Sequence, residues 1–426
     1  MNTHSLPGPD DIVRRELPNG IVVLVRPNIS SLSVVVTGYL CAGAIFESDD
    51  KLGLASFTAL ALMRGTAQRD FQQIYDALES NGASLGIDGG THSIGFYGHA
   101  LAEDLDLLTG TLAETIRQPI FPTDQVERLR AQLLTGLTIR AQDTSEVASL
   151  TFDELLYAGH PYSRPEDGYP ETIRSIMRED LVAFHEKHFG PKGMIVSIVG
   201  GVDAERSVDS VTRFLGNWEN PKQPNQPSLP SLKPLSEMIS RQVNIPGKSE
   251  ADIVMGVAGP PRRSPDFLAA SLGNNILGQF GMYGRIGESV RERSGLAYHA
   301  SSGLSGGIGP GPWLFIAGVD PNNLEKVIDL IRQEIARFTR EPVNSEELAD
   351  SQANYIGRLP LSLESNAGVA SALLNLDRYS LGLDYYLRYP DMIRAITPAE
   401  ILETAQRYLH PDRLVVATAG SFGVSH

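Results

Sequence analysis

Two stretches of this sequence lie 220 positions apart and resemble each other: Ile173–Gly200 reads IRSIMREDLVAFHEKHFGPKGMIVSIVG, and Ile393–Gly420 reads IRAITPAEILETAQRYLHPDRLVVATAG. Six of the 28 aligned positions are identical, including both isoleucines of I-R-x-I, a proline and the closing glycine. In each copy a predicted helix is followed by proline and a β-rich run, Met194–Val199 in the first and Leu414–Ala419 in the second. The repeat predicts that a unit of roughly 200 residues has been duplicated.

The flanking sequence extends the repeat and places a linker between its copies. At the same offset Pro122 pairs with Pro342 and Glu127 with Glu347, in both halves after an amphipathic helix. Between the halves, Glu219–Glu237 holds five prolines and no apolar periodicity, which is typical of an extended, semi-rigid linker. The sequence therefore predicts three segments: an N-terminal domain over 1–218, a linker over 219–237 and a C-terminal domain over 238–426.

Local signals within each half predict strands, a helix, more strands, two or more helices and a last strand. Turns such as Pro18–Gly20 before β-rich segments favour hairpins and an antiparallel or mixed sheet. Asp49 and Asp50 are predicted to cap a helix from about Leu52 to Met63, and Thr397–Glu400 reads as a capping box. The predicted fold class is α+β, with two homologous sheet-plus-helices domains in one chain.

Composition narrows the classes of function. The 426 residues carry 36 Lys and Arg against 51 Asp and Glu, and the net charge of −15 argues against general affinity for nucleic acid or anionic lipid. Apolar residues make up 42% of the chain, as in ordinary globular proteins. Cys41 is the one cysteine, so an internal disulfide framework and a Cys-rich zinc site are both ruled out.

The sequence offers no export or membrane signal. Met1–Arg15 lacks a basic segment followed by an apolar one, which predicts a cytoplasmic protein, or a periplasmic one if a leader has been removed. Two runs free of charged residues, Pro27–Phe46 and Ser294–Val319, are too polar and too rich in glycine, serine or proline for membrane spans. We interpret them as buried strands and their connections.

Familiar catalytic motifs do not occur. There is no G-x-S-x-G, no Walker A sequence and no G-x-G-x-x-G between a strand and a helix. His185 and His188 are one helical turn apart, a spacing that lets two imidazoles share a metal, but no third ligand is placed nearby. Gly-rich Ser302–Gly311 reads as a long hairpin connection, with contact to a substrate or partner as the alternative.

Arg291–Tyr298 (RERSGLAY) combines concentrated charge, a glycine and an aromatic residue at the start of a polar strand. One interpretation is a helix C-terminus whose arginines favour the helix dipole, followed by an ordinary strand. The other is functional: a guanidinium fork and a phenol, seven residues apart across a tight turn, both directed at carbonyl oxygens.

Several motifs, in the same order along nearly the whole chain, resemble the insulinase/pitrilysin family of zinc peptidases, which includes the mitochondrial processing peptidase. Leu17–Gly20 resembles the first strand of that family, and Gly53–Thr66 resembles its metal helix, G-L-A-H-x-x-E-H followed by K-G-T. Gly159–Tyr162 fits as well, and Arg291–Tyr298 resembles the family element R-E-K-R-G-L-A-Y. The resemblance implies two domains of the processing-peptidase type.

The chain departs from this family at the metal site. Where the family has H-x-x-E-H, this sequence has Ser56, Ala59 and Leu60 at the positions of the two histidines and the glutamate. The third ligand of the family, a glutamate, falls near Gly136, and Leu129–Gln142 contains no Asp or Glu. The resemblance therefore implies that this chain holds no catalytic zinc.

Arg291 and Tyr298 match an Arg–Tyr pair which, in this family, binds the substrate backbone and helps to stabilise the oxyanion near the zinc. Some bacterial members resemble a split enzyme in which one subunit carries H-x-x-E-H and the other carries this pair. The leading hypothesis is that this chain is the second subunit of a heterodimeric endopeptidase acting on unfolded peptides, with zinc on its partner.

Two alternatives stay open at this stage. The chain is a catalytically dead structural or peptide-binding subunit, like the core proteins of respiratory complexes. Otherwise it is an independent peptidase with unorthodox ligands such as His185 and His188. The presence of Arg291 and Tyr298 argues against the first alternative, and the missing third ligand argues against the second.

Overall fold

The computed structural model describes residues 6–279 and 284–422, and all structural statements below concern these residues. The strands are β1 (Val13–Glu16), β2 (Val22–Pro27), β3 (Ser33–Leu40), β4 (Ser84–Gly89), β5 (Ile94–Leu101), β6 (Ile195–Gly200), β7 (Ile239–Asn244), β8 (Ala251–Ala258), β9 (Ala297–Leu304), β10 (Pro312–Val319) and β11 (Val415–Gly420). The helices of the first half are α1 (Leu54–Ala61), α2 (Phe71–Glu79), α3 (Leu105–Arg117), α4 (Thr123–Arg140), α5 (Thr144–Leu156), α6 (Pro170–Ser175), α7 (Arg178–His188) and α8 (Ala204–Leu215). The second half has α9 (Phe267–Gly278), α10 (Arg285–Gly287), α11 (Leu324–Phe338), α12 (Ser345–Ser362), α13 (Asn366–Arg378), α14 (Tyr385–Ala395) and α15 (Pro398–Tyr408).

The two sheets repeat one topology. The first has the strand order β1-β2-β6-β3-β5-β4 and the second β7-β11-β8-β10-β9. In both, the last strand of the half pairs in parallel with a strand from its beginning, β6 with β2 and β11 with β7, and the remaining pairs beside it are antiparallel. Without β1, the sheets correspond strand for strand. The predicted α+β fold with two homologous sheet-plus-helices domains is therefore confirmed.

The repeated β-runs at the ends of the two halves form central strands. All six residues of β6 and all six of β11 are buried, because each strand has neighbours on both sides and helices on both faces. This position explains why the two runs are continuously apolar rather than alternating. The predicted capping box is also present: Thr397 accepts from the amide of Glu400, and the Glu400 carboxylate accepts from the amide of Thr397.

Each compact unit of the chain takes one helix from the other half of the sequence. One unit contains the chain up to Leu137 together with Arg164–Ser228 and Leu359–Leu387. The other contains Thr138–Ser163, Leu229–Arg358 and the chain from Arg388 onward. In consequence α13 packs on β3 and β6 of the first sheet, and α5 packs on β8 and β11 of the second. The division at 1–218 and 238–426 stays a prediction about the repeat.

The second unit illustrates how the layers are filled. Ile253, Met255 and Val416 point to the side of the sheet where α9, α11 and α15 form the larger hydrophobic core. Val254 and Val415 alternate with them and pack with Phe152 and other residues of α5 on the opposite side. Among the described residues, no helix combines the length and the apolar character needed to cross a bilayer.

Candidate functional site

Helix α1 carries three of the positions at which a metal helix would hold its ligands and general base. Ser56 is 7% exposed, Ala59 is fully buried and Leu60 is partly buried. Strand β4 ends directly against this helix, since a Cβ on Gly89 would lie 2.6 Å from the Cα of Ser56. The helix is thus held against the edge strand of the first sheet as a packed element.

The fourth position, Gly136, lies on an exposed part of α4 and presents no side chain. Together the four positions offer one neutral hydroxyl, from Ser56, and neither imidazole nor carboxylate. Zinc in proteins is bound by thiolates, imidazoles and carboxylates, so these residues do not fit the ion. In the described parts of the chain, no group of three or more His, Cys, Asp or Glu side chains is arranged to hold a metal.

The start of α1 is held by Glu47, not by the predicted caps Asp49 and Asp50. The Glu47 carboxylate accepts hydrogen bonds from the backbone amides of Gly53 (3.0 Å) and Ala55 (2.6 Å). Asp49 and Asp50 belong to a separate short 3₁₀ turn. A carboxylate six residues before the N-cap Gly53 is not recognised by capping patterns, which search the position next to the first turn.

Burial raises the pKa of the Glu47 carboxyl. Desolvation raises the pKa of its carboxyl to about 7, although the two amide hydrogen bonds and the nearby Arg164 guanidinium favour the charged form and oppose that shift. Arg164 also donates a hydrogen bond to the backbone oxygen of Glu47 at 3.1 Å. The helix that carries the metal-site positions is therefore anchored by a carboxyl that changes charge near neutral pH.

Arg291 lies on an irregular piece of helix in the second unit. After α10 the chain forms a five-residue π-helix, Glu288–Glu292, in which the Arg293 amide donates to the Glu288 carbonyl at 2.9 Å. The turn that follows uses Gly295 at a φ of +63°, and its amide donates to the Arg291 carbonyl. The half-buried Arg291 side chain makes no ion pair or hydrogen bond with a described residue.

Tyr298 lies on the second irregularity of the same segment, a β-bulge. On the edge strand β9, Ala297 is opposite Val319 and His299 is opposite Gly318, so Tyr298 has no residue opposite it. Its side chain is 68% exposed and has no hydrogen-bond partner among the described residues. π-Helices and bulges both occur preferentially at functional sites, where they redirect side chains.

Arg285 anchors the base of this segment. Its guanidinium makes two hydrogen bonds to the Glu347 carboxylate of α12, at 2.7 and 2.8 Å, and lies 3.8 Å from Glu334 of α11. The Arg285 side chain is only 9% exposed and covers the Phe338 ring. The turn that leads to Arg291 is therefore fastened to two helices by a buried ion pair, which no sequence pattern indicated.

His185 and His188 are core residues of the first unit. The Nε2 atom of His185 is hydrogen-bonded to the carbonyl of Ile116 at 2.8 Å. The His188 ring lies between Phe46 and Phe184, with both ring centroids 4.6 Å away, and burial lowers its pKa to about 4. Both rings are thus used in packing.

Ser302–Gly311 forms the end of β9 and the connection to β10. The connection is held inside its unit by the Tyr157 hydroxyl, which donates to the Pro310 carbonyl at 2.9 Å, and by the Gly309 amide, which donates to the Tyr162 hydroxyl at 3.0 Å. These two hydrogen bonds hold the connection as an ordered hairpin loop.

The two sheets of matching strand order define the class of the chain: an α+β protein built from a repeated sheet-plus-helices module. Comparison with family models agrees. Residues 22–164 match the model described as Insulinase (Peptidase family M16), and residues 175–355 match the model described as Peptidase M16 inactive domain. The chain belongs to peptidase family M16, the insulinase family, and the resemblance inferred from its motifs is confirmed.

Curated relatives and solved structures are similar over nearly the whole chain. An uncharacterized zinc protease of Mycobacterium leprae is 26% identical over 395 residues, which cover 90% of this chain and 86% of the relative. A second relative, the uncharacterized zinc protease YmxG of Bacillus subtilis, is 21% identical over 356 residues, which cover 83% of this chain and 85% of the relative. The crystal structure of a peptidase M16 inactive domain from Pseudomonas fluorescens superposes with a TM-score of 0.89 at 24% identity, over 98% of this chain and 100% of that one. The crystal structure of a protease from Helicobacter pylori superposes with the same TM-score at 18% identity, over 97% of this chain and 100% of that one.

Proposed function

We propose that this chain is the zinc-less subunit of a heterodimeric endopeptidase that degrades or processes unfolded peptides. Arg291 and Tyr298 would complete an active site whose zinc is held by a homologous H-x-x-E-H partner. The observation that carries the proposal is that these two side chains lie on consecutive backbone irregularities and have no partners of their own among the described residues.

The chemistry of the pair suits peptide carbonyl groups. The Arg291 guanidinium offers several N–H donors in one plane, and the Tyr298 phenol offers an O–H. As a peptide carbonyl is attacked, negative charge develops on its oxygen, and donors already in place stabilise that charge more than they stabilise the bound substrate. This chain would contribute substrate binding and oxyanion stabilisation, and no metal.

The metal-site positions on α1 and α4 fit the same proposal. Ser56, Ala59, Leu60 and Gly136 provide no imidazole or carboxylate, so hydrolysis by this chain alone has no metal-bound water to rely on. The isolated chain is therefore expected to be inactive toward peptides.

The test is reconstitution with a homologous chain that carries H-x-x-E-H. We expect no hydrolysis of a quenched fluorescent peptide by either chain alone, and activity from the mixture. Tyr298→Phe and Arg291→Gln should each lower kcat about 10²–10³-fold, the usual cost of losing one oxyanion donor. Tyr97→Phe and Arg293→Gln are matched controls, since they make the same chemical changes at exposed positions.

Two outcomes would overturn the proposal. Hydrolysis by the purified chain alone would show that it carries a complete site, as in an independent peptidase. An active mixture whose rate is the same with Tyr298→Phe as with Tyr97→Phe would leave this chain a scaffold, like the core-protein subunits.

A further inference from the structure

The second unit contains a cavity of about 290 Å³ that no step of the proposed peptidase reaction uses. It lies at the end of β8, where Val257 and Ala258 form part of its lining. Leu156 of α5 contributes another wall, and Leu232 and Leu235 of the Pro-rich stretch close a third. These leucines also pack with the apolar cluster beneath α5, so the interior of the cavity is lined mainly by hydrocarbon.

The cavity lining carries positive charge. Lys233, Arg407 and Arg413 belong to it, and none of its lining residues is Asp or Glu. Arg407 is neutralised by Asp266 at 2.6 Å. The Lys233 and Arg413 side chains form no ion pair or hydrogen bond with any residue that the structure describes. Two uncompensated positive charges in the lining of one cavity stand out in a chain whose net charge is −15.

We propose that this cavity binds a small amphipathic carboxylate, with its apolar tail inside and its carboxylate between Lys233 and Arg413. Apolar walls with a few placed polar groups are the usual form of a small-molecule site. The volume holds about ten water-sized groups at ~30 Å³ each, which matches a medium-chain fatty acid or the last two apolar residues of a peptide. Because Leu232 and Leu235 form one wall, the ligand would also fasten the Pro-rich stretch to its unit.

The test is isothermal titration calorimetry of the full-length chain with decanoate. We expect one site per chain with a dissociation constant in the micromolar range, while decyltrimethylammonium, with the same tail and a positive head, binds at least ~10-fold more weakly. Acetyl-Leu-Leu with a free carboxylate, compared with its amide, shows whether peptide C-termini share the site. Absence of binding by both carboxylates at millimolar concentration, or equal binding of the ammonium compound, would overturn the proposal.

Charge reversal at Lys233 and Arg413 tests whether decanoate binds in this cavity. The double variant Lys233→Glu with Arg413→Glu should weaken decanoate binding about tenfold or more, because both substitutions place a negative charge beside the carboxylate. Both residues are exposed, so the fold should be unaffected. Lys326→Glu, an exposed charge reversal on α11 of the same unit, is the matched control and should bind as the natural protein does. Equal affinity in the double variant and the control would place decanoate elsewhere and overturn the proposal.

Discussion

Glu47 is a buried carboxyl that binds the start of α1, and its charge makes the stability of this region depend on pH. Its pKa is raised to about 7 by burial, whereas an unfolded chain releases the same proton near pH 4.5. Between these values the folded state binds more protons than the unfolded state, so the contribution of Glu47 to stability falls as pH rises. That contribution is complete below about pH 4.5 and is lost as pH passes through 7.

Glu47→Gln should remove this pH dependence. The Glu47 carboxylate binds the backbone amides of Gly53 and Ala55 through separate oxygens, so the amide keeps an acceptor for one of them and does not titrate. From pH 5 to pH 8, the free energy of unfolding of the natural protein should fall relative to the variant by on the order of 2–3 kcal/mol. Urea unfolding at several pH values measures this difference. Asp49→Asn, which removes an exposed carboxylate nearby, is the control, and parallel pH profiles for Glu47→Gln and the natural protein would contradict the prediction.

The Arg291–Tyr298 element depends on the ion pair at its base. Arg285→Leu would leave the Glu347 carboxylate without its ion-pair partner, and would leave Glu334, which is 9% exposed, with Arg337 as its remaining cation. Breaking a buried pair from one side typically costs ~3–5 kcal/mol. We therefore expect a loss of that order in urea unfolding, and a larger loss of peptide hydrolysis in the reconstituted complex than of partner binding.

Arg293→Leu provides the matched control for this element. It removes the Arg293–Glu288 pair from the same segment, but these side chains are 67% and 53% exposed. Exposed pairs contribute ~0–1 kcal/mol, so the variant should be nearly as stable as the natural protein. Similar losses for Arg285→Leu and Arg293→Leu would mean that the buried pair does not anchor the segment.

At the level of elements, the sequence predicted what short-range patterns encode. The Thr397 capping box and the apolar central strands β6 and β11 are local features, and the structure has both. The cap at α1 was predicted wrongly, because Glu47 reaches the helix from outside the window in which caps are recognised. The bulge at Tyr298 is defined by its pairing with β10, a relation between distant residues that a single strand does not reveal.

The candidate site also combines features that the sequence predicts with features that only the structure shows. The motif around Arg291–Tyr298 and the absence of ligands at the metal positions were both visible in the sequence. The π-helix, the bulge and the Arg285 ion pair were not, because each depends on contacts between residues far apart in the chain. The sequence therefore predicted which residues belong to the candidate site, and the structure shows the π-helix and the β-bulge on which Arg291 and Tyr298 lie.

At the scale of the whole molecule, the unexpected feature is the exchange of α5 and α13. Each helix begins in one half of the sequence and packs on the sheet formed by the other half. Apolar periodicity could not reveal this, since a helix shows the same pattern whichever sheet it covers. The exchange means that neither half of the sequence contains all the residues of one compact unit.

This exchange predicts where the effects of core substitutions appear. Leu373 of α13 and Phe152 of α5 are both buried, and their replacement by alanine should cost about 2–5 kcal/mol. In hydrogen–deuterium exchange of the full-length chain, Leu373→Ala should reduce the protection of β3 and β6, in the half of the sequence to which it does not belong. Phe152→Ala should instead reduce the protection of β8 and β11. The two variants control each other, and loss of protection confined to the sheet of the substituted residue's own half would contradict the exchange.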